Sequence, residues 1–325
     1  MSKRLVLHIG LNKTGTSSIQ RMLLENRGVL RQSGWDYPNF HLLHMAHHPL
    51  AYSIAGHAQR GLGAGWKNRL NTLMETSEYK LIFSSELFLR TVDPEAVAEY
   101  FPPEDTLVVL YLREHLAYMM SWYAQAIQER NLTASFGDYL HLFSQSFSSY
   151  VERWENVYGA DNMVTRVFDR NALVGRDSRI DFMQFIDGVD VGRLKLPVDD
   201  SNLSISGNLM FFKKILNNYM TQEEAMTHPI TDEIGAFASV QDTFRGKFQV
   251  SRAEAALARK LFGPDLEAMA ARGVHFPDMP REVAGHPYPA FDTLQSDFKL
   301  IKDIAVRTEK VFLKYAIRWQ DWHSI

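Results

Sequence analysis

Nine residues near the start of the chain, Gly10-Leu11-Asn12-Lys13-Thr14-Gly15-Thr16-Ser17-Ser18, set a lysine and a run of hydroxyls between an apolar segment, Leu5–Ile9, and a segment of helical periodicity, Ile19–Leu30. Strand, tight loop and helix make a phosphate cradle. Backbone N–H groups and the positive end of the helix dipole converge there on one anion. The loops of ATP- and GTP-using proteins read G-x-x-x-x-G-K-[ST]. Gly10 and Gly15 keep that separation, but Thr16 follows the second glycine and the lysine sits inside the loop, at Lys13. A nucleoside triphosphatase needs its lysine on the β/γ-phosphates and a hydroxyl on magnesium. The displaced Lys13 suits a nucleotide whose reactive end lies beside a shorter phosphate chain. A strand-to-helix connection with Thr and Ser as capping residues is the reading without chemistry.

Two further segments place polar groups at the ends of apolar runs. Leu110-Tyr111-Leu112-Arg113-Glu114-His115 leads into a helical pattern that carries Ser121, about two turns on. An arginine fork and a hydroxyl hold a phosphate monoester well; a surface arginine and an ordinary helix serine are the alternative. Phe83-Ser84-Ser85-Glu86 ends another run. A carboxylate there is able to accept the proton of an incoming hydroxyl, or to serve as a helix-start charge or ion-pair partner. His41, His44, His47 and His48 cluster in the intervening segment. On a helix, His41, His44 and His48 share a face. Zinc binding, an acceptor-site role and plain packing all remain open for them.

The elements that must position these groups read as an α/β protein. Leu5–Ile9, Lys80–Ser84, Leu107–Leu112 and Met163–Phe168 are short apolar runs, as expected for buried strands of a parallel sheet. Ile19–Leu30, His115–Glu129 and Tyr150–Tyr158 read as the helices between them. The pattern predicts an open parallel β-sheet flanked by helices, with ligands at the carboxyl ends of the strands. Beyond about Pro197 the strand signal fades. Gly207–Tyr219, Arg252–Arg272 and Thr293–Ile317 are expected helices, with a break at Gly263-Pro264. The expected organisation is a single domain over 1–325, an α/β core over 1–200 and a mainly helical extension over 201–325. Met119-Met120 and Trp122-Tyr123 fit a helix face packed on the sheet. Gly61, Gly63 and Gly65 make a flexible loop; no strand precedes them, so a second phosphate loop is not expected there.

Bulk properties narrow the classes. The 325 residues carry a formal charge of -3, so an anion site must come from placed residues and broad nucleic-acid binding has no support. An apolar content of 46% supplies a sizeable core. Cysteine is absent, which excludes disulfides and thiolate metal sites. Met1-Ser2-Lys3-Arg4 leads into the first strand with no signal-peptide region, and no apolar run approaches membrane-spanning length. A soluble, cytoplasmic protein is the expectation. Oligomeric state is not legible.

Taken together, Lys13-Thr14-Gly15-Thr16-Ser17 after one strand, and Leu112-Arg113 with Ser121 after another, resemble the sulfotransferases that use 3′-phosphoadenosine 5′-phosphosulfate. The Ser-Ser-Glu ending at Glu86 resembles the carbohydrate-acting branch. The segment Tyr150–Phe168 with Trp154 and Gly159, and Asn202-Leu203-Ser204, are similar to bacterial members. The resemblance implies a P-loop sulfotransferase fold. It implies that Lys13, Thr14, Gly15, Thr16, Ser17 and Ser18 hold the 5′-phosphosulfate, with Lys13 on the leaving phosphate oxygen. Arg113 and Ser121 then hold the 3′-phosphate and Glu86 is the base, with His48 or His44 as rival or helper. 3′-Phosphoadenosine 5′-phosphate is the implied product, and no metal is required. The implied acceptor is a small molecule or glycan. Arg245-Gly246-Lys247 faintly resembles a further 3′-phosphate element in altered order; a solvated turn is the other reading.

Overall fold

The computed structural model describes residues 3–142, 145–197, 204–219, 221, 233–235, 237–238 and 241–307. Its strands are β1 (Leu5–His8), β2 (Trp35–Asp36), β3 (Lys80–Ser84), β4 (Thr106–Leu112) and β5 (Met163–Val167). Its helices in chain order are α1 (Thr16–Glu25), α2 (Arg27–Gln32), α3 (His48–Ile54), α4 (Trp66–Thr76), α5 (Leu87–Thr91), α6 (Pro94–Ala98), α7 (His115–Glu129), α8 (Phe136–Leu142), α9 (Phe147–Tyr158), α10 (Ser178–Phe182), α11 (Gly207–Asn217), α12 (Arg252–Ala271) and α13 (Leu294–Arg307). Asn202, Leu203 and the expected helical residues 308–317 lie outside the described residues.

The chain forms two compact units. Segments 1–114, 145–198 and 264–277 build the first, and the remaining segments build the second. The first unit holds the sheet, in the order β2-β3-β1-β4-β5, with every pairing parallel. Apolar runs buried on both faces explain why β1, β3 and β4 sit at its centre. In register, His8 of β1 stands beside Ser84 of β3 and Val109 of β4. The residues that follow β1 and β3 therefore leave the sheet side by side.

The α1 helix packs on this sheet through Ile19, Met22 and Leu23, all fully buried with Val6, Ile82 and Phe182. Each such side chain contributes about 1.5–3 kcal/mol by leaving water. Thr16 and Gln20 lie on the same buried face, one turn apart. Another polar group in this core is Asp181, which accepts from Tyr111 Oη at 2.7 Å, from Val174 N at 2.9 Å and from the Arg166 guanidinium.

The structure departs from the expected elements in places. The single helix over Ile19–Leu30 is two, because Asn26 interrupts it: its side chain donates to Met22 O at 2.7 Å and to Lys195 O at 2.8 Å, and accepts from Lys195 N at 2.8 Å. The β2 strand, too short to show a period, had no sequence signal. The break at Gly263-Pro264 does not occur, since α12 runs through Pro264. The turn after that proline is anchored: Asp265 accepts from the N–H groups of Phe147 at 2.7 Å and Ser148 at 3.1 Å, at the start of α9, and Arg272 pairs with Glu155.

In the second unit, α7 buries Tyr118, Met119, Met120 and Tyr123, as its apolar face predicts. Tyr123 packs against Phe136, Tyr139 and Phe248. The end of α7 is closed from α11. Lys213 Nζ and Asn217 Nδ2 both donate to Ile127 O at 3.1 Å, and burial pushes the Lys213 ammonium down to about 8.

Candidate functional site

The loop after β1 is tied to β4 by Ile9 N donating to Val109 O at 3.0 Å and Leu11 N to Tyr111 O at 3.3 Å. It then turns sharply. Lys13 has φ 66° and Gly15 has φ 78°, and the Thr14 hydroxyl donates to Leu11 O at 2.5 Å. A left-handed lysine costs backbone energy, so the surrounding structure must hold this turn in place. At Gly15 the constraint is steric as well: a Cβ there would stand 2.6 Å from Ser178 Oγ and 2.8 Å from Phe168 Cε2. Gly10 is equally confined, by Thr16 Cγ2 at 2.5 Å and His8 Nε2 at 2.9 Å. Gly15 caps α1 without a side-chain acceptor, leaving the helix start to Thr16, Ser17 and Ser18. A tight backbone turn at a helix start, carrying a lysine, fits a phosphate-bearing ligand.

Arg113, just past β4, reaches this loop. Its Nη1 donates to Lys13 O at 3.4 Å, and its guanidinium lies 5.9 Å from the Phe168 ring centre. Burial lowers its proton affinity, though Glu114 opposes the shift. An arginine held against desolvation gains most from an anionic partner.

Glu86 follows β3 as the residue before α5, and is only 7% exposed. Its Oε1 accepts from the Thr16 hydroxyl at 2.5 Å and its Oε2 from Gln20 Nε2 at 3.3 Å. His48 Nε2 stands 3.6 Å from the same Oε2, an ion-pair distance once the imidazole is protonated. His48 Nδ1 lies 2.7 Å from Ser85 Oγ, whose oxygen also accepts from Leu87 N at 3.2 Å. The Ser85 hydroxyl can donate to Nδ1 or accept from it; with Ser85 as donor, the neutral ring carries its proton on Nε2, toward Glu86. Burial lowers the His48 pKa; Glu86 opposes the shift and His44 adds to it.

The four histidines do not share a helix. His41 and His44 lie in loop at φ 52° and 55°, and α3 begins only at His48. His47 is a packing residue: Ser84 N donates to its Nδ1 at 3.2 Å and its Nε2 lies 3.0 Å from Pro38 O. Burial brings it down to about 4. Among the described residues no group of His, Cys, Asp or Glu is arranged to hold a metal.

No protein-family model and no curated protein sequence matches the chain. Among solved structures it is similar to a sulfotransferase from Alicyclobacillus acidocaldarius, with TM-score 0.40 and 14% identity over 82% of this chain and 98% of that one. It is also similar to retinol dehydratase in complex with androsterone and the inactive cofactor PAP, with TM-score 0.30 and 10% identity over 74% of this chain and 81% of that one.

The structure thus brings Lys13–Ser18, Glu86, His48 and Arg113 to one edge of the first unit's sheet. Ser121 lies on α7, in the second unit. So does the segment of Arg245 and Lys247: Arg245 pairs with Asp242 on a turn, and Lys247 O accepts from His286 N at 2.9 Å. Gly61, Gly63 and Gly65 sit between α3 and α4, with no strand before them. No helix of the described residues is long and apolar enough to cross a membrane.

Sequence reasoning missed the polar residues beneath the loop. His8 is fully buried, with Nδ1 2.8 Å from Ser84 Oγ. Gln20 Nε2 donates to that same oxygen at 3.1 Å. Burial lowers His8 to about 4, against the charge of Glu86. A histidine ending an apolar strand, and a glutamine on the apolar face of α1, were the available signals.

Proposed function

We propose that the chain is a sulfotransferase. It moves the sulfuryl group of 3′-phosphoadenosine 5′-phosphosulfate to a hydroxyl of a carbohydrate or glycolipid acceptor. The observation that carries this reading is the bond from Thr16 to Glu86, which fixes a carboxylate beside the start of the loop helix. Phosphate cradle and proton acceptor then address the two ends of one in-line displacement.

When bound, the donor supplies an electrophilic sulfur on a phosphate leaving group. The loop backbone from Thr14 to Ser18 binds and orients its 5′-phosphate. Lys13 offsets the negative charge that grows on the departing oxygen, an oxyanion-type stabilisation. Glu86 takes the acceptor's hydroxyl proton as the new O–S bond forms, with His48 close enough to share that task. Arg113 recognises the 3′-phosphate by its guanidinium fork. Ser121 is assigned to nucleotide binding by the family resemblance, and Ser121→Ala tests it by nucleotide affinity.

Thermal-shift titration decides the class. Ligand present at 100 times its dissociation constant stabilises by about 2.7 kcal/mol. Selective stabilisation by 3′-phosphoadenosine 5′-phosphate over ATP and Mg-ATP is expected; a preference for Mg-ATP overturns the reading in favour of a P-loop phosphotransferase.

A further inference from the structure

Both oxygens of Glu86 are addressed from α1, the helix that starts at the phosphate loop. The Thr16 hydroxyl donates to Oε1 at 2.5 Å, and Gln20 Nε2 to Oε2 at 3.3 Å. All three side chains are buried, Thr16 at 4%, Gln20 at 3% and Glu86 at 7% exposure. Gln20 is itself held: its Nε2 also donates to Ser84 Oγ at 3.1 Å, and that oxygen lies 2.8 Å from His8 Nδ1. The Oε2 that Gln20 engages is the one His48 Nε2 approaches at 3.6 Å.

We propose that Thr16 and Gln20 are positioning residues that make α1 one rigid support for both the phosphate loop and the Glu86–His48 pair, a proposal that rests on reading that pair as the proton acceptor. A carboxylate with donors on both oxygens has a single orientation, and here that orientation decides which oxygen faces His48. Thr16 and Gln20 are one turn apart on a helix that Ile19, Met22 and Leu23 hold in the core, so their donors move together with the loop. Proton acceptance is thereby registered to the donor-binding turn, with Thr16 and Gln20 acting through the Glu86 carboxylate.

Titratable groups whose charge reaches this pair include His44 and His47 around His48, and His8 and Tyr37 around Glu86. The test reads the titration midpoint of the His48 imidazole by NMR in the full chain without nucleotide. Glu86→Gln removes the charge that favours the imidazolium, and lowers the midpoint. Thr16→Val and Gln20→Met keep side-chain size but remove a donor from the carboxylate. With one donor fewer, the carboxylate leans more on those that remain, His48 among them, and the midpoint rises by about half a unit or more. Thr16→Ser restores the hydroxyl and returns the midpoint to wild type, which a packing role alone does not predict. If Thr16→Val fails to fold, Gln20→Met carries the measurement. An unchanged midpoint in the folded donor-removal variants overturns the positioning role. Failure of 3′-phosphoadenosine 5′-phosphate to stabilise the wild type overturns sulfuryl transfer alone, so the two failures are distinct.

Discussion

The hydroxyl of Thr16 donates to the carboxylate of Glu86 across 2.5 Å, although 70 residues separate them in sequence. Parallel pairing of β1 with β3 makes the contact possible. His8 and Ser84 are in register, so the loop leaving one strand and the turn leaving the other start level. Ser85 N donates to His8 O at 3.1 Å and extends the ladder by one more bond. That register sets the start of α1 beside the Glu86 carboxylate.

Lys13 carries the charge of the loop. Lys13→Ala is expected to lower sulfuryl transfer by about 10²–10³-fold, the range for loss of one oxyanion-stabilising donor. Its melting temperature should stay near that of the wild type, since Lys13 is no part of the packed core. An unchanged turnover number with 3′-phosphoadenosine 5′-phosphosulfate removes Lys13 from the mechanism.

Gly15 bears a backbone constraint. Its φ of 78° and the Ser178 oxygen, 2.6 Å from where a methyl group would stand, leave no room for alanine. We expect Gly15→Ala to cost about 1–3 kcal/mol in urea unfolding and to weaken nucleotide binding as well. Full stability in the variant contradicts the confinement of this turn.

Acid should destabilise the fold through its buried histidines. His47 titrates near 6.5 when unfolded and at about 4 when folded. Between these values the unfolded chain binds more protons, so stability rises with pH. The contribution is complete above about pH 6.5 and lost as pH falls toward 4, at about 3 kcal/mol for a full shift of this size. His8 acts in the same direction. Urea midpoints between pH 7 and 4 should fall steeply, and His47→Gln should flatten the slope by about one proton. An unaltered slope in the variant shows that the His47 ring is not kept neutral.

Asp181 has a fully buried side chain and receives Tyr111, Arg166 and the Val174 N–H. Removing the carboxylate strands those donors and leaves a guanidinium without its partner. Asp181→Ala is expected to cost about 3–5 kcal/mol, and Asp181→Asn less, by equilibrium unfolding. A loss below about 1 kcal/mol in both means that water replaces the carboxylate.

The sheet was legible where burial on both faces writes apolar runs: Lys80–Ser84 is strand to the residue, and β1 and β4 agree within one residue at either end, as does the half-buried edge strand β5. Two residues of β2 cannot display a period, and that strand exists because Trp35 and Asp36 pair with Lys80 and Leu81. Asn26 looked like a helix residue, but backbone groups of Lys195, 169 positions away, recruit its side chain and end α1. In each of these misses a distant partner overrode a local preference.

By itself the sequence determined the parallel α/β sheet, the loop with its displaced lysine, and the positions of Glu86 and Arg113 at strand ends, because periodicity and strand-end placement are local properties of the chain. Only the tertiary structure decided what those groups touch. His47 and His48 are neighbours in sequence, yet one is sealed against Ser84 and the other faces Glu86. Their difference comes from where α3 begins, and that is set by the His47 N–H bond to Ser84 O at 2.8 Å. Gln20 and Thr16 likewise became partners of Glu86 only when α1 packed beside β3, since hydrogen bonds between distant segments depend on a register that no single segment encodes.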